Sequence, residues 1–355
     1  MSASPDLIGQ IADDDTSDRP TIPLILCDTL GTVYDMKVVI LVVDGVFDSG
    51  LAVLLDTFAT ANELASGQGI TTPLFSVEIV GAGHSIRTAL GFTAAVEPAS
   101  NVQKPDWVVV PAINVKQPDQ LIETLGRKDV LEAVANLRDW HARGIHVAGA
   151  CVGTFLLAEA GLLDGQEATT SWPIAPAFRQ RYPRVKLDES RIIVTADRVV
   201  TAGATMGHLD LAFWLVRQAC PDIASLVAGI MLIDKRPTQA KYIMPEVLAR
   251  ADPLVERFER WARGHLATGF SLQDAARALA VTPRTLQRRT GAVLGKSPLA
   301  FFQDLRVARA QHLVSQGKDI DAIATEVGYA ESATLRSLLR RRTGRTVREL
   351  RTELQ

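Results

Sequence analysis

Three cysteines in 355 residues, Cys27, Cys151 and Cys220, are too few and too scattered for a disulfide framework or a structural metal site. That scarcity fits a reducing cytosol, and neither a metal nor another cofactor is expected. The N-terminus lacks a positively charged segment and opens acidic, with Asp13, Asp14 and Asp15. The apolar run Ile22 to Cys27 is too short for a signal peptide or a membrane span. Residues 1–35 therefore read as a disordered extension, and no membrane attachment is expected. A strong overall charge is also missing, since 38 Lys/Arg stand against 40 Asp/Glu. The apolar share of 47% with 22% charged residues is ordinary for a soluble globular protein, and the length has room for two or three domains.

The near-neutral balance hides an asymmetry. Residues 268–355 carry 15 Lys/Arg and 8 Asp/Glu, a net of +7, which leaves the remainder at 23 against 32, a net of −9. A basic module on an acidic body is the footprint of phosphate contact.

That basic stretch contains one small unit twice. Leu272, Ala275, Ala276, Leu279 and Ala280 recur as Ile320, Ile323, Ala324, Val327 and Gly328 at a shift of 48. After one inserted residue, Leu286, Gly295, Ser297 and Phe301 recur as Leu335, Gly344, Thr346 and Leu350 at a shift of 49. Each copy reads as helix, tight turn, helix, with apolar positions at i, i+3, i+4 and i+7. Thr282 offers an N-cap hydroxyl and Pro283 suits the first helical position, so a second helix starts there. The pattern is a helix-turn-helix, whose second helix enters the major groove of double-stranded DNA.

In the first copy Arg284, Gln287 and Arg288 lie at i, i+3 and i+4, opposite Leu286 and Val293, which are assigned to the core. Arginine pairs with guanine and glutamine with adenine in the major groove, so this face is expected to read bases. The second copy offers Ser332, Ala333, Arg336 and Ser337 near the groove. Arg340, Arg341 and Arg342 follow and cannot all face the same way; Arg340 or Arg341 is expected to touch phosphate.

Residues 252–351 resemble the AraC/XylS type of DNA-binding domain. The likeness is carried by Ser271-Leu272-Gln273-Asp274-Ala275-Ala276, Thr285-Leu286-Gln287-Arg288-Arg289, Gly295-Lys296-Ser297-Pro298, and Ile323-Ala324 through Val327-Gly328-Tyr329. It implies two helix-turn-helix units joined by a linking helix, Pro298 to Ser315, preceded by a helix from Leu254 to Leu266.

The body before this module alternates strands and helices. Strands are expected at Lys37–Val43, Phe75–Val80, Trp107–Val110, Ile145–Ala148, Ile192–Thr195 and Val199–Thr201. Helices are expected from Asp48, read as an N-cap, to Asn62, at about 130–142, and at about 208–218. The fold class is α/β, a mainly parallel sheet sandwich, followed by an all-α domain. Domain limits are set at 36–233 for the body, 234–251 for a linker containing Pro237 and Pro245, and 252–355 for the DNA-binding domain.

Gly149-Ala150-Cys151-Val152-Gly153-Thr154 ends a strand, places a thiol between glycines and starts a helix, the cysteine form of a nucleophile elbow. A helix N-terminus there favours thiolate. With Gly161-Leu162-Leu163-Asp164-Gly165 and Ala168-Thr169-Thr170-Ser171-Trp172, the body resembles the class I glutamine amidotransferase-like (PfpI) superfamily. In its enzymes the elbow cysteine pairs with a histidine shortly downstream. Here that position is Ser171, which cannot serve as a general base at neutral pH. His146 enters the elbow on its strand, and His208 reads as a helix-start residue with solvent access. No catalytic residue is therefore expected; a cysteine-dependent amidase or hydratase is the alternative.

A body of this kind fused to an AraC-type reader resembles the GlxA-like bacterial transcription regulators. The resemblance implies a sensing or dimerising body, a small-molecule effector such as an amino acid or quaternary amine, and RNA polymerase as partner if the protein activates. A homodimer is expected. An effector pocket is expected outside the carboxyl ends of the parallel strands, lined by Asp48, Cys151, Ser171, Trp172, Thr205 and Met206. Trp172 beside an acidic group would suit a cation, worth roughly 0.5–2 kcal/mol.

Overall fold

The computed structural model describes residues 34–353, apart from 103, 116, 235 and 237. The contacts divide the chain into one unit of residues up to 172 with 184–239, and a second of 173–183 with 240 onward.

The first unit is built on eleven strands. They are β1 (Met36–Leu41), β2 (Phe75–Gly81), β3 (Ser85–Arg87), β4 (Thr93–Ala95), β5 (Glu97–Pro98), β6 (Trp107–Val110), β7 (His146–Ala150), β8 (Glu167–Ala168), β9 (Lys186–Leu187), β10 (Ile193–Ala196) and β11 (Val199–Ala202). Seven form one sheet in the order β10-β11-β7-β6-β1-β2-β5. Every pairing in it is parallel except β10 with β11. Strands β6 and β11 are buried throughout, as expected where helices cover both faces. The helices of this unit are α1 (Asp48–Gly67), α2 (Pro118–Leu125), α3 (Lys128–Ala142) and α4 (Gly153–Glu159). Further along the chain, α5 (Ala175–Arg181) groups with the second unit, whereas α6 (Gly207–Ala219) and α7 (Pro221–Met231) complete the first. Leu54, Phe58, Leu211 and Leu215 of α1 and α6 pack with Ile40, Val109 and Val200 of the sheet in one apolar core. The mainly parallel α/β sandwich is thus the observed architecture.

The strands and helices read from the sequence are present, with bounds shifted by a few residues. Asp48 is not the N-cap of α1: Phe47 holds that position without a side-chain bond, and Asp48 is the first helical residue. The extension read as 1–35 lies outside the described residues up to 33, while Tyr34 and Asp35 are ordered. The Tyr34 hydroxyl donates to Asp106 Oδ1 at 2.8 Å, and Ser76 Oγ donates to Asp35 Oδ2 at 2.7 Å.

The second unit continues with α8 (Pro245–Ala249), α9 (Pro253–Gly264), α10 (Leu272–Ala278), α11 (Pro283–Leu294), α12 (Pro298–Ser315), α13 (Ile320–Glu326), α14 (Ser332–Thr343) and α15 (Val347–Glu353). Helix α8 lies inside the stretch read as a linker, whose Lys235 and Pro237 fall outside the described residues. The linking helix α12 has the bounds read from the sequence, because Ser297 caps it through Ala300 N and Pro298 opens it. Phe258, Phe301 and Phe302 are buried in the first half of the unit; Ile323, Val327, Leu335 and Leu339 form the core of the second half. Among the described residues no helix is long and apolar enough to cross a membrane, and no His/Cys/Asp/Glu group could hold a metal ion.

Candidate functional site

The first helix-turn-helix is fixed by two caps. Ser271 Oγ accepts from Asp274 N at the start of α10, and Thr282 Oγ1 accepts from Thr285 N at 3.1 Å at the start of α11. Between them Ala280 adopts a left-handed φ of 55° to make the turn. Leu286, Thr290 and Leu294 are the buried residues of α11, so Thr290 and Leu294 accompany Leu286 where Val293 was expected; Val293 is only half-buried. Arg284, Gln287 and Arg288 are exposed. Their neighbour Arg289 is different, since it pairs with the buried carboxylate of Asp252, the cap of α9. Helix α11 is thereby anchored on one side and presents three uncommitted donors on the other.

The second helix-turn-helix repeats the plan with one difference at the turn. Asp319 caps α13, but Glu331 precedes α14 without a side-chain bond. Gly328 takes the place of Ala280 with φ 80°, and a Cβ there would stand 2.3 Å from the Leu266 carbonyl oxygen. Leu335, Leu338 and Leu339 are buried. The expected contact residues divide between adjacent faces: Ser332, Arg336 and Arg340 follow one i, i+4 row, and Ala333, Ser337 and Arg341 another. The second row borders a groove of about 600 Å³ with Gln303 and Tyr329. Arg342 borders the same groove and pairs with Asp304 Oδ1 at 3.4 Å, while Asp304 Oδ2 receives Lys296 Nζ at 2.8 Å. One carboxylate on the linking helix therefore ties the end of the first unit to the reading helix of the second.

A second tie is buried. Arg306, also on α12, donates to Leu266 O through Nε and Nη2 at 3.1 and 2.7 Å. Its guanidinium stacks 4.8 Å from the Phe302 ring centre. Sequence reasoning missed Asp304 and Arg306 because neither lies on a face that reads DNA.

The elbow is present at the end of β7. Cys151 has φ 54°, its N–H donates to Ala202 O at 2.8 Å, and its carbonyl accepts from Thr170 Oγ1 at 2.8 Å. Gly153 is required by close approach: a Cβ would sit 2.3 Å from Val110 O. Cys151 is only 6% exposed, and its thiol is bonded to the Ser171 hydroxyl. Burial pushes its pKa up to about 11, so it is a neutral thiol. The expected thiolate bias of the helix N-terminus is outweighed by desolvation.

No imidazole substitutes for Ser171. His208 is fully buried, which corrects its reading as solvent-accessible. Its Nε2 accepts from Ala112 N at 2.9 Å and its Nδ1 lies 2.8 Å from Thr205 O. Burial lowers its pKa to about 4, so the ring is neutral, with the proton on Nδ1. His146 begins β7, the far end of the strand from the elbow, and stacks on Trp107 at 4.8 Å.

Of the six expected pocket residues, Cys151 and Ser171 touch each other and both are buried. Trp172 is half-buried, Thr205 and Met206 are exposed, and Asp48 Oδ2 accepts from Leu90 N at 3.0 Å. Unread in the sequence was Gln239, buried and donating through Nε2 to Thr170 O and Arg191 O. Its partners lie 69 and 48 residues away, so no local pattern announces it.

Comparison with known proteins adds two matches. Residues 36–218 fit the DJ-1/PfpI family, and residues 275–353 fit a helix-turn-helix domain family. The chain is 27% identical over 262 residues to the HTH-type transcriptional regulator CdhR of Pseudomonas aeruginosa, covering 64% of this chain and 77% of that protein. It is 26% identical over 235 residues to the HTH-type transcriptional regulator GlxA of Rhizobium meliloti, covering 63% and 70%. It is 24% identical over 206 residues to the regulator GbdR of Pseudomonas aeruginosa, covering 57% of this chain and 56% of that protein.

Proposed function

Because this chain belongs to the DJ-1/PfpI family and carries an AraC-type helix-turn-helix domain behind that fold, we propose that it is a one-component transcription regulator. Residues 252–355 read double-stranded promoter DNA, residues 36–233 sense a small molecule or dimerise, and residues 234–251 join them. The observation that carries this reading is the exposed row Arg284, Gln287 and Arg288 on a capped, anchored helix of a module with net charge +7. Arginine and glutamine at that spacing match the donor and acceptor pattern of the major groove.

The body does not catalyse. A thiol with a pKa of about 11, bonded to a serine, has no base to activate it. The relatives' names support regulation over turnover. The effector is a small molecule of the amino acid or quaternary amine class, the protein works in the cytoplasm as a homodimer, and RNA polymerase is its partner if it activates. Footprinting of the purified protein on genomic fragments tests the reading. A protected, reproducible operator supports it, and binding that is uniform over all sequences refutes it.

A further inference from the structure

A cleft of about 540 Å³, with no elbow residue in its lining, opens in the first unit where β1 and β6 end. Three loops form its walls. Asp44 and Gly45 follow β1, Arg87 ends β3 with residues 88–91 after it, and Ile113, Asn114 and Val115 follow β6. Parallel α/β sheets bind ligands outside the carboxyl ends of their strands, which is where this cleft lies.

The walls are tied to one another by backbone bonds. Gly45 N donates to Arg87 O at 2.7 Å, and Asn114 N donates to Gly45 O at 2.9 Å. Arg87 N donates to Asp44 Oδ1 at 2.8 Å, and Arg127 Nη2 to Asp44 O at 2.7 Å. A cleft braced in this way is formed before any ligand arrives, so binding loses little to loop ordering.

The side chains left over define the ligand. Arg127 is spent on Asp129 and the Asp44 carbonyl. The Arg87 guanidinium and the Asn114 amide have no partner among the described residues, and Asp44 keeps one carboxylate oxygen uncommitted. Leu90, Ile113 and Val115 supply apolar surface beside them. One cation and one carboxylate bordering an apolar wall match a ligand with its own carboxylate, an adjacent hydrogen-bond donor and an aliphatic tail.

We propose that this cleft, and not the elbow, is the effector site, and that it takes a small carboxylic acid bearing a hydroxyl or ammonium group next to the carboxylate. Arg87 holds the ligand carboxylate and Asp44 accepts from the neighbouring donor. The proposal rests on the regulator reading, and deepens it by naming the site and the ligand's chemistry.

Titration of the full-length protein with four matched probes tests it: L-leucine, leucic acid, isocaproate and leucinamide, followed by calorimetry and by operator binding. Leucine or leucic acid is expected to bind saturably, and which of the two binds distinguishes an ammonium from a hydroxyl. Isocaproate lacks the donor and leucinamide lacks the carboxylate, so both are expected to bind at least about tenfold more weakly. Arg87→Gln is expected to weaken the preferred probe by about tenfold or more. Its side chain is exposed and unpaired, so the variant keeps its fold. Cys151→Ser leaves probe binding unchanged. Equal binding of leucinamide, binding indifferent to Arg87→Gln, or no binding by leucine and leucic acid overturns the proposal. Wild-type protein without a specific operator instead refutes the regulator reading, so the two failures are told apart.

Discussion

The guanidinium of Arg306 lies 5.0 Å from the centre of the Tyr329 ring, and the Tyr329 hydroxyl donates to Gln303 Oε1 at 2.6 Å. The linking helix thus grips the residue that follows the second turn from two successive positions on one face. Since Arg306 also binds the Leu266 carbonyl, the two helix-turn-helix units are set at one relative geometry before DNA arrives.

The turn beneath that contact is where the repeat is least forgiving. A Cβ at Gly328 would meet the Leu266 carbonyl oxygen at 2.3 Å and Arg306 Nη2 at 2.4 Å. Gly328→Ala is expected to lose about 2–4 kcal/mol, from a left-handed backbone and an overpacked junction. At the matching position Ala280→Gly relieves a left-handed φ of 55° and is expected to gain up to about 1 kcal/mol. Urea unfolding of both variants checks the opposite signs; a Gly328→Ala protein as stable as wild type would contradict the packing.

On the first reading helix, Arg288→Ala is expected to cost about 1–3 kcal/mol on the specific operator and to relax preference at one base pair. Selection from a randomised operator library measures it. An unchanged preferred sequence would remove Arg288 from the reading face.

Arg341 borders the groove on α14 and Arg340 lies on the adjacent row, both exposed, whereas Arg342 is held by Asp304. Neutralising Arg340 or Arg341 is expected to weaken all DNA alike and to lower the salt slope by about 0.9 per lost phosphate contact. Affinity measured over a salt series decides. A shifted sequence preference with the same slope would assign base reading to that arginine instead.

His208 gives the body a pH limit. Its pKa falls from the ordinary 6.5 to about 4 on folding, so the unfolded chain binds a proton more readily between those values. The stability it supports is complete above pH 6.5 and is lost as pH falls toward 4, by up to about 3 kcal/mol. Unfolding at pH 7.5 and 4.5, with a His208→Phe control to subtract the carboxylates, measures this contribution. A wild type no more acid-sensitive than the control would overturn it.

The elbow thiol is expected to be slow toward iodoacetamide at neutral pH, since little of it ionises below about pH 11. Cys151→Ser is expected to keep operator affinity. Rapid alkylation at pH 7, or turnover abolished by Cys151→Ser, would restore the enzyme reading.

What was legible in the sequence was local. Ser271, Thr282 and Ser297 announce their helices because each cap bonds an N–H three residues ahead, and the β-branched runs announce buried strands. Contacts across the chain left no such mark. His208 reads as a polar helix start, yet its partner Ala112 is 96 residues away in sequence, and that bond permits burial. Asp48 has the chemistry of a cap, but its carboxylate serves Leu90 N in a loop 42 residues on. The hairpin of β3 and β4 and the short β5 were not foreseen, being two or three residues each. Cys151 was placed correctly on a strand-to-helix turn, while its burial depended on Thr170 and Ser171, which bond the same turn from later in the chain.

The glycine at 153 has a bearing on how such folds drift. A Cβ at Gly153 would stand 2.3 Å from Val110 O and one at Gly149 would press on Leu157 Cδ1 at 3.0 Å, so the fit of α4 against the sheet demands glycine at 153 and favours it at 149. Loss of chemistry therefore releases neither of them. An ancestor that surrendered its catalytic base would still hand down these glycines, as a fossil of the turn. In this scaffold the glycines record the architecture, and only the residue facing the sulfur tells whether the reaction survived.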